Sequence, residues 1–480
     1  MERRNIIKTV TARQVFDSKG RPVVEAEIIT ETGIMGRSGA STGTSVGANE
    51  SYVLRDGDKT LFNGLSVFKA VDHVKNKIAP VLQGMDVLDQ RAIDQAMIDL
   101  DGTRNKANLG GNAIYAVSCA AARTASLVSG KEFWEYFADQ KPERIFAPAY
   151  NVVNGGTYGD KTLDFQEFLI IPKNVNTFYE GSRIGVEVFY KMSEVIERHT
   201  GKPAVMGNYS GYGAPSGDPF EIFDMLTEAV NELGYKDKVI FSMDCAASEL
   251  YDKEKNAYRF KGEYISRDKL IAVLAKLADK YPIGFIEDAL HEEDFEGYAK
   301  ASKEIDAVLI GDDFICSSVD RAEKAISMNA IGGMILKPNQ IGTLSEAVDT
   351  VRLMQSKGLL VVASGRAGGV YEDLNAELAI ALGLPLMKTG APRSGERVAF
   401  TNTGLRVEEK LTGRRTMADP LSIVGFERLK MKEAIQLSAD DVKHLQANKK
   451  LIAKSPFSAG EYDKSQFSAK PFDLKKDQDK

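Results

Sequence analysis

Several kinds of residue are scarce in this chain, and each scarcity closes off a class of protein. Cysteine occurs only three times in 480 residues, at Cys119, Cys245 and Cys316. All three stand in apolar surroundings and none belongs to a CxxC pair, which excludes a disulfide framework and fits a reducing compartment. No apolar run approaches the roughly 18 residues that a membrane-spanning helix requires. The opening MERRNIIKTV carries charges but no apolar leader core, so the expected location is cytoplasmic, with no membrane partner. Positive charge is not in excess: 62 Lys and Arg face 68 Asp and Glu, a net charge of −6. That balance offers no general attraction to nucleic acid, so an anionic partner must be small and drawn by a local site. No repeat of solenoid type is present.

What is present is ordinary for a globular chain, with 43% hydrophobic and 27% charged residues. The length exceeds what one hydrophobic core usually serves, so two domains and an appendage are expected. Residues 5 to 35 alternate as strands do, in NIIKTVTARQVF and PVVEAEIIT, and the turn signal DSKGRP between them predicts a hairpin. GRSGASTGTSVGAN, within positions 36–50, is too rich in Gly, Ser and Thr to be a core element. Hydroxyls and free amides at that density suit a lid over a ligand. From Leu65 to about Ala138 the apolar residues fall at helical spacing, so 1–139 reads as an α+β cap. Strand followed by helix then dominates, and 140–428 reads as an α/β barrel. The remainder, 429–480, has a helical pattern in SADDVKHLQANKKLIA and then a Lys-, Ser- and Asp-rich segment, a composition that predicts a partly disordered extension. Its Phe457, Phe467 and Phe472 are candidate docking residues for a partner.

Six apolar runs in the barrel segment each end in a polar or charged residue. They are VIFSMD at Asp244, IGFIED at Glu287 and Asp288, AVLIGDD at Asp312 and Asp313, GMILK at Lys337, LLVVAS at Ser364 and LPLMK at Lys388. After a first interval of about 43 residues the endings recur about every 25, the length of a strand, a helix and two short loops. Parallel barrel strands deliver their C-terminal ends to one rim, so these endings put three acidic groups and two lysines around one pocket. Asp244, Glu287 and Asp312 supply hard oxygen ligands with no histidine or thiolate among them, the donor set of Mg²⁺. Such an ion on a substrate carboxylate acidifies the adjacent C–H by stabilising the enediolate. Lys337, beside the ion and the second cation Lys388, is expected to have a lowered pKa and to act as the base.

Over residues 5 to 411 the chain resembles the enolases, in ARQVFDSKGRP, SGASTG, GMDVLDQRAIDQAMIDLDGT, NVVNGG, QEF, MDCAASE, IEDAL, GDD, LKPNQIGT, KTGAP and LRVEE. The resemblance implies an α+β N-terminal cap on a TIM-type α/β barrel and a hydro-lyase reaction between 2-phosphoglycerate and phosphoenolpyruvate. It also implies two Mg²⁺ ions per site and a homodimer or higher homo-oligomer. Carried over by position, Asp244, Glu287 and Asp312 resemble the ligands of the first ion, and Ser41 of SGASTG the lid serine that meets the second. Lys337 of LKPNQ resembles the base and Lys388 of KTGAP the cation on the substrate carboxylate. Glu167 of QEF resembles an acidic partner near the leaving group, and Arg366 a phosphate ligand; Gln166 and Ser364 join the candidate substrate contacts.

Four positions depart from that pattern. Enolases carry a glutamate in GDEGG that helps the β-hydroxyl leave, whereas this chain has GNYSGYG, with Tyr209 at that point. Tyr158 in NGGTY stands where the family has the histidine of NGGSH, and Gly365 and Ala367 in SGRA replace the histidine and serine of SHRS. His73, His199, His291 and His444 lie elsewhere, so none takes over these roles. Loss of a positioned general acid costs roughly 10²- to 10⁴-fold, which leaves three readings. The first is the family reaction, with Tyr209 or a water held by Glu167 as the acid. The second is a diverged lyase for a related phosphorylated or phosphonate carboxylate, in the manner of carboxyphosphonoenolpyruvate synthase, with Gly365 opening room for a larger group. The third is a non-catalytic scaffold of enolase shape, against which the retained triad, lysines and SGASTG weigh.

Overall fold

The alternating residues near the N-terminus form strands because one face of each can be buried and the other left in water. The computed structural model describes residues 5–43, 47–371 and 373–430. In it β1 (Ile7–Phe16) and β2 (Pro22–Thr30) make the expected antiparallel hairpin, with Val24, Ala26 and Ile28 turned to the core. A third strand, β3 (Met35–Gly39), pairs with β2 and takes in the first residues of the segment read as a lid, so that part is a sheet edge and not a loop. Glycine permits this: a Cβ at Gly36 would lie 2.5 Å from the Thr124 amide of the helix Gly111–Val128, which covers the sheet. That helix is buried along nearly its whole length, and its many alanines allow the close approach.

The second domain is a ring of eight strands. They are β4 (Ala147–Asn154), β5 (Glu167–Pro172), β7 (Val239–Asp244), β11 (Ile283–Glu287), β12 (Val308–Gly311), β13 (Gly333–Leu336), β14 (Leu360–Ser364) and β15 (Leu386–Gly390), and β15 closes onto β4. A two-residue strand β6 (Tyr212–Gly213) edges β4, and β8 (Tyr251–Asp252), β9 (Ala257–Phe260) and β10 (Glu263–Ile265) form a small separate sheet. The ring strands read as continuous apolar runs because one face looks into the barrel and the other onto helices. All six residues of β7 are buried.

The ring is not uniformly parallel. β5 pairs antiparallel with both β4 and β7, because a loop, not a crossover helix, joins β4 to β5. Reversal sets the first residue of β5, Glu167, on the rim where the other strands end. The three cysteines are free and buried, and among the described residues no helix is long and apolar enough to cross a membrane. The extension beyond residue 430, with Phe457, Phe467 and Phe472, lies outside the described residues, as do 44–46 of the lid segment.

The hairpin turn also anchors the lid. Asp17 Oδ1 accepts the amides of Lys19 and Arg21, both at 2.9 Å, while its Oδ2 takes Arg21 Nε at 2.8 Å. Arg21, so oriented, donates to Gly43 O and Thr42 Oγ1, each at 2.9 Å. Thr42 in turn exchanges backbone hydrogen bonds with Gly368 in the loop after β14. We therefore expect Arg21→Leu to raise hydrogen exchange at the Thr42 and Gly368 amides by about tenfold or more, since net hydrogen bonds contribute roughly 1 kcal/mol each. Mass-spectrometric exchange measures this, and unchanged protection there would mean that the lid is held by other contacts.

Candidate active site

Glu167 opens β5, Asp244 closes β7 and Glu287 closes β11. Strand pairing sets them in one row, Asp244 being the register partner of both others. All three are buried. Lys388 reaches into the row from β15: its Nζ lies 2.6 Å from Glu167 Oε2, 2.6 Å from Glu287 Oε2 and 3.3 Å from Asp244 Oδ2. Gln166 Nε2 donates to Asp244 Oδ2 at 3.3 Å. Burial raises Glu287 well above the ordinary carboxylate range and Asp244 raises it further. Burial raises Glu167 as well, against the pull of Lys388. Burial works to lower Lys388, but Glu167, Glu287 and Asp244 prevail and raise it. Three carboxylates around one ammonium leave the row with surplus negative charge, which adds to burial in pushing Glu167 and Glu287 upward.

One strand further round, Asp312 follows β12 and Lys337 follows β13, and Lys337 Nζ donates to Asp312 Oδ2. The sequence led us to expect a lowered pKa for Lys337; the structure gives the opposite. Burial does act to lower it, yet the bonded Asp312 carboxylate outweighs burial and holds the ammonium well above the ordinary lysine range. Burial would raise Asp312, but Lys337 and Arg366 hold it below the ordinary range. Gln340 Nε2 fixes the other oxygen, Asp312 Oδ1, at 2.8 Å. Arg366 donates to Glu50 Oε1 at 3.1 Å, both side chains being buried, so the end of the lid meets the charge of this arginine.

Two of the expected contacts lie apart from this cluster. Ser364 Oγ donates to the Gly365 carbonyl at 3.0 Å and is thereby turned into its own loop. Ser41 is buried beside Asp373, and no hydrogen bond joins it to Asp244, Glu287 or Asp312 among the described residues.

The four departures from the enolase pattern gather on one side of the mouth. Tyr158 and Tyr209 stack with ring centres 4.4 Å apart and planes at 26°, and Ala367 packs with them. Burial pushes both phenols up, so each remains an O–H donor at neutral pH. Arg397, from the helix Gly395–Glu408, sets its guanidinium carbon 4.3 Å from the centre of the Tyr209 ring. The room expected beside Gly365 is absent: a Cβ there would lie 2.6 Å from Arg397 Nη1 and 2.6 Å from the Phe400 ring. Those two side chains fill the volume, so a larger substrate substituent does not fit at that position.

The donor set fits a hard divalent cation. Asp244, Glu287 and Asp312 offer only carboxylate oxygens, Glu287 Oε1 and Glu167 Oε1 are buried without a hydrogen-bond partner among the described residues, and the surplus charge of the row calls for a cation. A second group, Asp288, Asp312 and Asp313, has carboxylate oxygens within 4.8 Å of one another. Asp288, however, is already engaged, its two oxygens accepting the amides of Asp312 at 2.8 Å and Asp313 at 2.9 Å. These bonds sustain its left-handed backbone at φ 43°, and burial raises its pKa to about 8. Asp288 is therefore a brace that aims Asp312, and the row with Asp312 is the better cation site.

Sequence reasoning missed Gln340, Glu50, Asp288 as a brace, and Arg397. Gln340 carried a readable signal, since the one-turn helix Pro338–Ile341 begins directly after Lys337 and folds that residue back to the mouth. Glu50 was counted only as part of the lid. Arg397, nine residues past Lys388 on a helix, offered no periodicity that separates it from a solvated surface arginine.

Comparison with known proteins adds an independent finding. Residues 7–137 match the family model described as the enolase N-terminal domain, and residues 143–420 the one described as the enolase C-terminal TIM barrel domain. A protein named enolase from Methanopyrus kandleri is 43% identical over 412 residues, spanning 85% of this chain and 96% of that protein. Enolases from Methanocaldococcus jannaschii and Methanococcus maripaludis are each 42% identical, over 86% and 84% of this chain and 97% and 95% of theirs. With both domains matched in order and the relatives covered almost end to end, the chain belongs to the enolase family.

Proposed function

We propose that the chain is a hydro-lyase that removes the proton beside the carboxylate of a small phosphorylated acid and expels the neighbouring hydroxyl, converting 2-phosphoglycerate to phosphoenolpyruvate and water. The observation that carries this reading is the charge arrangement at one rim: Lys337 on Asp312, and Lys388 within the row of Glu167, Asp244 and Glu287. The enolase relatives support it.

Asp244, Glu287 and Asp312 are the residues that would hold a first Mg²⁺, and Ser41 would meet a second. Bound there, the ions would neutralise the charge that develops on the substrate carboxylate as its neighbouring proton leaves. Lys337 is the base; its ammonium must first lose its pairing with Asp312, after which Arg366 and Lys388 nearby favour the neutral amine. Lys388 faces the substrate carboxylate. Glu167, which burial pushes toward its acid form, and Tyr209, a neutral phenol, serve the departing hydroxyl. Arg366 and Tyr158 contact the phosphate, and Gln166 orients Asp244. A lyase acting on a related phosphonate carboxylate is the second reading, favoured by the stacked Tyr158 and Tyr209 at the leaving-group end. We take the cap as 1–139 and the barrel as 140–428, in a cytoplasmic homo-oligomer.

Purified protein with Mg²⁺ should convert 2-phosphoglycerate at a rate within about tenfold of 10 s⁻¹, the middle of the enzyme range, followed as ultraviolet absorbance of the enol phosphate. No turnover, together with exchange of the α-proton, would favour the second reading. Lys337→Ala should slow exchange of that proton with solvent deuterium by roughly 10²- to 10⁴-fold while Mg²⁺ still binds; undiminished exchange removes Lys337 from the mechanism. Burial pushes Glu287 and Glu167 toward their acid forms, so Mg²⁺ affinity should rise with pH and binding should release protons. Calorimetry in two buffers of different ionisation heat reads the release, and identical heats in both would contradict the proposed site.

A further inference from the structure

The turn that follows Lys337 joins three parts of the site. Gln340, in the one-turn helix Pro338–Ile341, is fully buried. Its Nε2 donates to Asp312 Oδ1 at 2.8 Å and lies 3.5 Å from Glu50 Oε1. Its backbone carbonyl accepts the Ser51 amide at 2.6 Å, and the neighbouring Asn339 carbonyl accepts Ser51 Oγ at 2.8 Å. Asn339 Nδ2 in turn reaches the Ser41 carbonyl at 3.4 Å. One short turn therefore touches the lid segment at Ser41 and at its end, and a carboxylate of the candidate cation site.

The Gln340 amide is held from behind by Ser317. That serine is fully buried, and its Oγ accepts the Lys337 backbone amide at 3.0 Å. Its single hydroxyl hydrogen has two acceptors in reach, and the nearer is Gln340 Oε1, at 3.2 Å against 3.4 Å for the Ile335 carbonyl. With Oε1 taken by Ser317, Nε2 faces Asp312; the reversed amide would set one acceptor against another. Ser317 holds this place under backbone strain. φ is 51° at Cys316 and 50° at Ser317, two successive non-glycine residues in the left-handed region, and Thr350 Oγ1 steadies the Ser317 carbonyl at 2.8 Å. Strained backbone that its neighbours sustain points to a task for the side chain it presents.

We propose that Gln340 is a positioning residue of the cation site: anchored by Ser317, it keeps the Asp312 carboxylate in one direction after Lys337 has released the other oxygen, and it ties that direction to the end of the lid. The inference rests on the reading that Asp312 is a ligand of the ion and Lys337 the base. In that reading Lys337 must leave Asp312 Oδ2 before it takes the proton. A carboxylate with one oxygen released can swing about its Cβ–Cγ bond, and a partner behind the ligand is what stops it. A planar amide bonded at both ends does this for Oδ1. Asp288 aims the same residue differently, through the Asp312 backbone amide, so it does not replace Gln340.

The test is calorimetric titration of the full chain with Mg²⁺ for wild type, Gln340→Met, Ser317→Ala, Ser317→Gly, the Ser317→Ala/Gln340→Met double variant and Asp312→Asn. Loss of a group that orients a metal ligand leads us to expect Mg²⁺ binding weakened about 10- to 100-fold in Gln340→Met and about tenfold in Ser317→Ala. The double variant should bind no worse than Gln340→Met, because Ser317 then has nothing to act through. Ser317→Gly separates positioning from backbone structure: glycine relieves the left-handed turn but lacks the hydroxyl, so it should weaken binding as Ser317→Ala does. If Gln340→Met fails to fold, as judged by its melting curve, the two Ser317 variants decide the question. Unchanged affinity in a folded Gln340→Met, wild-type affinity in Ser317→Gly, or losses that add in the double variant overturn the proposal. The readout is heat with Mg²⁺ alone and is independent of turnover. Weak binding in Asp312→Asn beside wild-type binding in Gln340→Met removes the positioning role and keeps Asp312 as a ligand, whereas wild-type binding in Asp312→Asn removes both.

Discussion

A carboxylate taken out of water must be met by positive charge or give up its own. At the barrel mouth Glu167, Asp244 and Glu287 share one ion-paired ammonium, Lys388, among the described residues, and much of the surrounding structure is a response to that shortfall. Burial pushes Glu287 upward, the carboxylates of the row raise Lys388, and Lys337 is drawn to the next carboxylate, Asp312. Arg366 in turn is drawn to Glu50 of the lid, so closure of the cap over the barrel is partly an electrostatic consequence of the same site. A pocket with this surplus of carboxylates is suited to a cation.

The opposite end of the mouth follows a different rule. Tyr158, Tyr209, Ala367 and Phe400 make it aromatic and apolar, with Arg397 as its buried charge. Low polarity around this guanidinium strengthens its pairing with Glu396, 3.6 Å from Nε. The two halves therefore differ in physical character, one rich in carboxylates and the other aromatic around a buried guanidinium.

Much of this was legible in the sequence. The interval of strand endings located Asp244, Glu287, Asp312, Lys337 and Lys388 on one rim, because a barrel converts periodic spacing into a shared edge. What escaped detection was whatever depends on direction rather than spacing. The reversed β5 breaks the strand-and-helix rhythm, so only the resemblance brought Glu167 to notice. The first lid residues enter a sheet edge because a neighbouring helix of small residues can approach Gly36. The pKa of Lys337 was misjudged since its nearest partner is a carboxylate, and spacing says nothing about which of several charges a flexible side chain will choose. Arg397 was invisible for the same reason, its importance arising from the volume left by Gly365 and Gly390.

The reversal of β5 carries a consequence for how this pocket can vary. Because β4 and β5 are joined by the loop 155–166 at the catalytic rim, both ends of that loop, Asn154 and Glu167, are pinned as a paired position of the barrel wall. The outer part of the loop, Tyr158 included, carries no strand or crossover helix, while Leu163 and Phe165 pack in the core and Gln166 is bonded to Asp244. Changes confined to that outer part can reshape the wall of the pocket without disturbing the ring, which makes it a natural place for a protein of this architecture to acquire a different substrate.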